Sequence, residues 1–181
     1  MNCRLAALGV SFAVIASGAL SAPAAARTHL VWAGGTPTFQ KALRAHYQAE
    51  ANDFFPHQVT IHQGDTIQWQ GMAIGFHSID LPSKGGTDLP FILPTNTTAA
   101  GLTDFAGNPF WFNGQPNLAF NPKLFAASGA GTYDGGARAD SGLPVGRPAA
   151  FKLTFTKPGT YAYICALHDD LGMTGTVVVL P

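Results

Sequence analysis

Tyr161-Ala162-Tyr163-Ile164-Cys165-Ala166-Leu167-His168-Asp169-Asp170-Leu171-Gly172-Met173-Thr174-Gly175-Thr176-Val177 is the stretch on which the rest of the chain turns. Tyr161, Tyr163 and Cys165 alternate on one face of a strand, and Thr174 to Leu180 reads as a Val-rich strand that closes the chain. Between the two strands lie a thiol, an imidazole and a thioether in the spacing Cys-x2-His-x4-Met. One strand-to-strand loop therefore presents three soft or borderline metal ligands. Gly172 relieves the backbone where the chain re-enters the sheet.

Alternation of the same kind recurs upstream. Thr28 to Ala33 predicts a first strand ending at Gly34-Gly35, and Thr36-Pro37 suits the start of a short helical turn. Leu43 to Ala51 offers two periods at once. Phe39, Leu43 and Tyr47 have helical spacing, whereas the longer run from Leu43 alternates strictly, and a strand is expected there. Gln58 to His62 and Thr66 to Gln70 flank the tight turn Gln63-Gly64-Asp65, so they are expected to pair as a hairpin. Phe76 to Asp80 is a short β-like piece with His77, Ile79 and Gly75 on its inward face. Phe151, Leu153 and Phe155 alternate with Lys152 and Thr154 before a turn at Lys157-Pro158-Gly159. With abundant Gly and Pro at the turns, this is an all-β pattern, and the length suits one domain.

Residues 1–26 read differently. Arg4 precedes an apolar run from Leu5 to Leu20 that is short for a membrane span, and Ala24-Ala25-Ala26 satisfies the small-x-small cleavage rule. A secretory signal peptide over 1–26 and a domain over 27–181 are expected, placing the protein outside the cytoplasm, secreted or periplasmic. Removal of Cys3 with the leader leaves Cys165 as the sole cysteine. A disulfide framework is thereby excluded, and an unpaired thiol in an oxidising compartment needs burial or a bound partner. Ten basic and ten acidic residues balance, so no strong field recommends nucleic acid or an anionic membrane. A monomer is expected.

Residues 83–150 break the regular pattern. They are rich in Gly and Pro yet carry eight aromatic residues, Phe110-Trp111-Phe112 among them, which argues against a solvated linker. An ordered, irregular insertion packed on the β domain is expected, with the Gly-rich Ser128 to Gly136 as turns. A segment of this size inside a compact domain is a natural place for partner specificity or for a cover over the site. Asn96-Thr97-Thr98 fits the glycosylation sequon, a pattern too short to carry weight.

A thiolate, imidazoles and a weak axial thioether are the compromise that serves both Cu(I) and Cu(II), so Cys165, His168 and Met173 point to copper, with His77 as the candidate fourth ligand. Zinc fits less well, because its structural sites are closed by four Cys or His. His29, His46, His57 and His62 read as surface or hairpin residues. If cleavage frees the amine of Arg27, Arg27-Thr28-His29 offers a second, square-planar Cu(II) site.

The run from Gly159 through Cys165 and His168 to Met173-Thr174-Gly175 resembles the C-terminal ligand loop of the plastocyanin and azurin family of cupredoxins. Phe54-Phe55-Pro56, Val59 to Trp69 and His77 resemble the segment leading to that family's first histidine. The resemblance covers Ala51 to Pro82 and Phe151 to Pro181. It implies a Greek-key β-sandwich and one mononuclear type 1 copper site held by His77, Cys165, His168 and Met173, with His168 nearest the surface. It also implies one-electron transfer between redox protein partners. Copper sequestration or delivery is the competing function; catalysis by this chain alone is not expected, because the His-x-His pairs of multicopper enzymes do not occur. Two departures stand out: the long insertion, and Ser78 where the family usually has Asn. The resemblance implies that the backbone N–H of Ser78 donates to the cysteine sulfur.

Overall fold

The computed structural model describes residues 25–71, 75–94, 118–129, 131–143 and 150–181. In chain order the strands are β1 Thr28–Ala33, β2 Phe54–Phe55, β3 Gln58–His62, β4 Thr66–Gln70, β5 Asp80–Leu81, β6 Ile92–Pro94, β7 Leu118–Phe120, β8 Gly131–Tyr133, β9 Ala139–Asp140, β10 Phe151–Phe155, β11 Gly159–Ile164 and β12 Thr174–Leu180. One helix, α1 Pro37–Tyr47, follows β1. Five strands form one sheet in the order β2-β1-β4-β10-β8, and five form a second in the order β3-β12-β11-β5-β9. The strands β6 and β7 make a small separate ladder.

The alternation read from the sequence explains the two layers. Val31, Ile67, Trp69, Leu153 and Phe155 of the first sheet share one core with Ile61, Tyr163, Val177 and Val179 of the second, and all are buried. Apolar faces that meet across a sandwich remove both from water, the dominant favourable contribution to folding. The all-β sandwich expected from the sequence is therefore the fold.

Three local expectations fail, each for a physical reason. The strand expected from Leu43 to Ala51 is α1 up to Tyr47. Thr36 caps it by accepting from the Phe39 N–H at 3.3 Å, Pro37 opens it, and Gln48 ends it in a left-handed conformation. Period two has meaning only when a sheet face is buried, and of this helix only Gln40 is buried. Its side chain donates to the Ala51 carbonyl at 3.2 Å and accepts from the Ala51 N–H at 3.4 Å, tying the helix to the chain that follows it.

The strands β3 and β4 do not form a hairpin. The turn at Gln63-Gly64-Asp65 carries the chain from one sheet to the other, where β3 pairs in parallel with β12 and β4 pairs with β1 and β10. Within the stretch 83–150, the glycine-rich run is more than turns. It contains β8, parallel to β10 in the first sheet, while β9 pairs with β5 in the second. The Phe110-Trp111-Phe112 cluster, the Asn96 sequon and residues 1–24 lie outside the described residues.

The β5–β9 pairing places Asp80 opposite Asp140, both fully buried. Arg138 forms an ion pair with Asp80. Asp140 accepts from the Gly142 N–H at 2.6 Å through Oδ1, but its Oδ2 has no partner among the described residues. Burial raises both carboxyls; against the lowering by Gly142 N–H and aided by the Asp80 charge, Asp140 reaches about 7. An unfolded Asp ionises near 3.9. Between pH 4 and 7 the folded chain thus holds at Asp140 a proton that the unfolded chain has lost, and this group's contribution to stability is lost as pH rises through that window. Asp140→Asn is expected to make the slope of the urea midpoint against pH, over pH 4 to 7 in the metal-free protein, more positive, because it removes a contribution that falls with pH. An unchanged slope would count against this protonation.

Candidate metal centre

The loop between β11 and β12 is held by its own backbone. The His168 N–H donates to the Cys165 carbonyl at 3.0 Å, closing the two-residue spacer into a turn. Met173 N–H donates to the His168 carbonyl at 3.0 Å, and Cys165 N–H donates to the Met173 carbonyl at 3.0 Å. Between them Asp169–Leu171 makes a single 3-10 turn that ends at Gly172, whose φ of 84° is one that side chains disfavour. The loop thus places Cys165, His168 and Met173 relative to one another before any ion is considered.

His77 arrives from the other half of the chain, just before β5. Its Nδ1 lies 3.2 Å from Nδ1 of His168 and 4.0 Å from Sγ of Cys165, and the Cys165–His168 edge is 3.5 Å. The point equidistant from these three atoms is about 2.1 Å from each, within the roughly 2.0–2.3 Å at which first-row ions bind imidazole and thiolate. Among the described residues this is the one such group of three ligands. Met173 is fully buried, with its backbone bonded to both Cys165 and His168. The donor set and its spacing fit copper.

Burial sets the protonation of these groups. His77 is fully buried and its pKa is lowered to about 4, chiefly by desolvation and then by His168, against the raising effect of Glu50. Burial also lowers His168, against Asp170, Glu50 and Asp169. Both rings are therefore neutral at pH 7 and present lone pairs. Burial pushes the Cys165 thiol up, despite N–H groups of Ser78, Leu167 and His168 that favour the thiolate, so an entering ion displaces the thiol proton.

Ser78 connects the two halves. Its backbone N–H donates to Cys165 Sγ at 3.3 Å, the bond that the resemblance implied. Its hydroxyl accepts from the Ala166 N–H at 2.9 Å, so the residue after Cys165 is fastened to the residue after His77. Ser78→Ala keeps the first bond and leaves a buried N–H without an acceptor, a loss of about 1–3 kcal/mol. Urea unfolding of the metal-free protein should show that loss. An unchanged midpoint would mean that the hydroxyl does not hold the loop.

The ring of His77 is walled by Gly75, which the sequence placed on the same face, and by residues that it did not single out. A Cβ on Gly34 would stand 2.6 Å from His77 Nε2 and one on Gly75 2.8 Å from it, and both glycines have positive φ. Gln40 and Glu50 complete this wall, beside Gly34 and Gly75 respectively. The visible signals were the Gly34-Gly35 pair, which read only as a strand end, and Gly75, which read as sharing the inward face of His77. His77 Nε2 itself finds no partner among the described residues.

The other histidines lie apart from the centre. His46 and His62 are exposed, and exposed His57 is 3.2 Å from Asp53. The Arg27 N–H and the His29 ring are both engaged by Asp65, at 2.7 Å and 2.9 Å. On the surface of the ligand loop, Ala166, Leu167, Asp169 and Asp170 face Pro90, Phe91 and Ile92 across a cleft of about 280 Å³.

Residues 113–180 match the family described as copper binding proteins, plastocyanin/azurin family, a span that contains Cys165, His168 and Met173. Among solved structures, the chain is similar to the oxidised plastocyanin of Dryopteris crassirhizoma, with 17% identity, 84% of this chain and 100% of that chain covered, and a TM-score of 0.42. It is also similar to the native pseudoazurin of Hyphomicrobium denitrificans, with 15% identity, 84% and 74% covered, and a TM-score of 0.40. A mutant amicyanin in its Cu(I) form shares 16% identity over 84% of this chain and 82% of that chain, with a TM-score of 0.39. His77, Cys165, His168 and Met173 are arranged as a type 1 copper site.

Proposed function

We propose that this chain, a member of the plastocyanin/azurin family of copper-binding proteins by its residues 113–180, carries single electrons between redox protein partners outside the cytoplasm. The observation that carries this reading is the triangle of His77 Nδ1, His168 Nδ1 and Cys165 Sγ, fixed by backbone bonds that need not change on electron transfer. His77, Cys165, His168 and Met173 hold the ion, which supplies the one-electron couple when bound.

The chain's own groups do the rest. The buried His77, Cys165 and Met173 exclude water, and the Ser78 N–H favours negative charge on the sulfur. His168 is the one ligand of the four that is only partly buried, so electrons enter and leave along its ring. The cleft beside the ligand loop puts Pro90 to Ile92 of the insertion next to that route, and this edge is where a partner would be chosen. Among the described residues no helix is long and apolar enough to cross a membrane. Residues 1–26 act as a leader and 27–181 as one domain that acts as a monomer.

Copper sequestration or delivery uses the same ligands, but three that are fully buried favour an ion retained over one handed on. Protein-film voltammetry of the copper-loaded protein is expected to give a reversible one-electron wave, with the copper retained through repeated cycles. Loss of copper to a competing chelator on reduction, with no reversible wave, would move the assignment to copper handling.

A further inference from the structure

Asp65 lies in the turn that carries the chain from β3 to β4, and its side chain is only 7% exposed. The carboxylate is nonetheless fully engaged. Oδ1 accepts from the backbone N–H of Arg27 at 2.7 Å; Oδ2 accepts from the His62 N–H at 3.1 Å and lies 2.9 Å from His29 Nε2. Burial alone would raise this group, but the Arg27 and His62 N–H bonds, with His29, hold it at about 2. At neutral pH this is a buried negative charge. Among the described residues His29 is the only side chain that pairs with it. A carboxylate held by N–H groups and one imidazole gains from a full cation at hydrogen-bond distance.

Such a cation is one hydrolysis away. The residues before Arg27 are Ala24-Ala25-Ala26, the small-x-small pattern at which an export leader is cut. Water added across the Ala26–Arg27 amide leaves a carboxylate on Ala26 and an ammonium on Arg27; the leader peptidase of the export machinery catalyses it. That ammonium would form on the nitrogen already 2.7 Å from Asp65 Oδ1. We infer that the mature chain begins at Arg27 and that its new α-ammonium is the counter-ion of the buried Asp65 carboxylate.

The pair would pin the edge of the fold. The Arg27 carbonyl accepts from the Thr66 N–H at 2.8 Å, and the next residue, Thr28, begins the parallel β1–β4 ladder opposite Thr66. The Asp65 carbonyl accepts from the Phe155 N–H at 2.9 Å, which ties the same point to β10. At its far end β1 runs into Gly34, against His77. Removal of the leader would thus also tighten the strand that leads to the ligand wall.

This inference rests on residues 1–26 being a cleaved leader, and its test separates the two claims. The full chain is produced in an exporting host and its N-terminus read by mass spectrometry, where Arg27 is expected first. Its melting temperature is compared, metal-free, with that of a chain starting at Ala25, which keeps the Arg27 N–H but moves the charge away. The extended chain should melt lower by about 2–4 °C, the shift that a pair of ordinary strength gives in a domain of this size, and Asp65→Asn should erase the difference. Should that variant fail to fold, the α-ammonium of the mature protein is titrated by NMR; pairing raises it above its ordinary value of about 7.7–8.0. Cleavage at another bond overturns the assigned terminus. Arg27 found first, with an ordinary amine pKa or with an extension effect that persists in Asp65→Asn, overturns the ion pair and leaves the leader reading intact.

Discussion

Cys165→Ser is expected to abolish the intense visible absorption of the copper-loaded protein while leaving the fold in place. The colour of such a site is charge transfer from a thiolate to Cu(II), and Cys165 is the sole thiol at the centre. A serine hydroxyl stays protonated at neutral pH and is a poor ligand for Cu(I), so copper affinity falls along with the colour. Cys165 is fully buried and serine is nearly its size, so the circular dichroism of the variant should match the parent. A variant that is still blue would refute the site.

Trp69→Ala should bring the largest loss of stability among single side chains of the core, about 3–5 kcal/mol. Trp69 is fully buried on β4, with its ring centroid 5.9 Å from Phe151 in its own sheet and 5.3 Å from Tyr163 in the other. Tyr163 in turn lies 4.7 Å from Phe54, so one aromatic cluster joins the two layers. Domains of this kind have only about 5–15 kcal/mol in total, and the loss would bring the variant to the edge of unfolding. Two residues beyond Tyr163 is Cys165, so the copper site should loosen as well. Trp69→Phe, which keeps a ring in the slot, should recover much of the stability. Chemical denaturation of the metal-free variants measures this directly, and a loss below about 1 kcal/mol for Trp69→Ala would show that the cluster does not hold the sheets together.

What the sequence disclosed follows from the kind of signal each element leaves. The strands β1, β10 and β12 were legible because each buries one face, and burial of one face writes period two into the residues. The ligand set was legible because Cys165, His168 and Met173 crowd into one loop, and because a thiol without a partner demands a reason. Pairing partners left no such trace. Two neighbouring strands around Gly64 read as a hairpin whether the turn folds them together or sends one to the opposite sheet, and only the core on either side decides. The helix α1 was misread because it buries almost nothing, so neither period had a face to record; the Thr36-Pro37 start was the better guide.

Buried charge was the least visible. Asp65, Asp80 and Asp140 look like surface residues in the sequence, and each lies inside beside residues far along the chain: Arg27 for Asp65, Arg138 for Asp80, and Asp80 itself opposite Asp140. The wall around His77 was hidden for a similar reason. Gly34 and Gly75 are small because a ring passes between them, which shows only once residues 34, 75 and 77 are placed together.

The most direct test of the copper site is the absorption spectrum of the purified chain titrated with Cu(II). One intense visible thiolate-to-copper band, saturating at one copper per chain and bleached by a one-electron reductant, is the expected result. Copper bound with only the weak absorption of nitrogen and oxygen ligation, or no stoichiometric binding at all, would contradict the assignment of His77, Cys165, His168 and Met173.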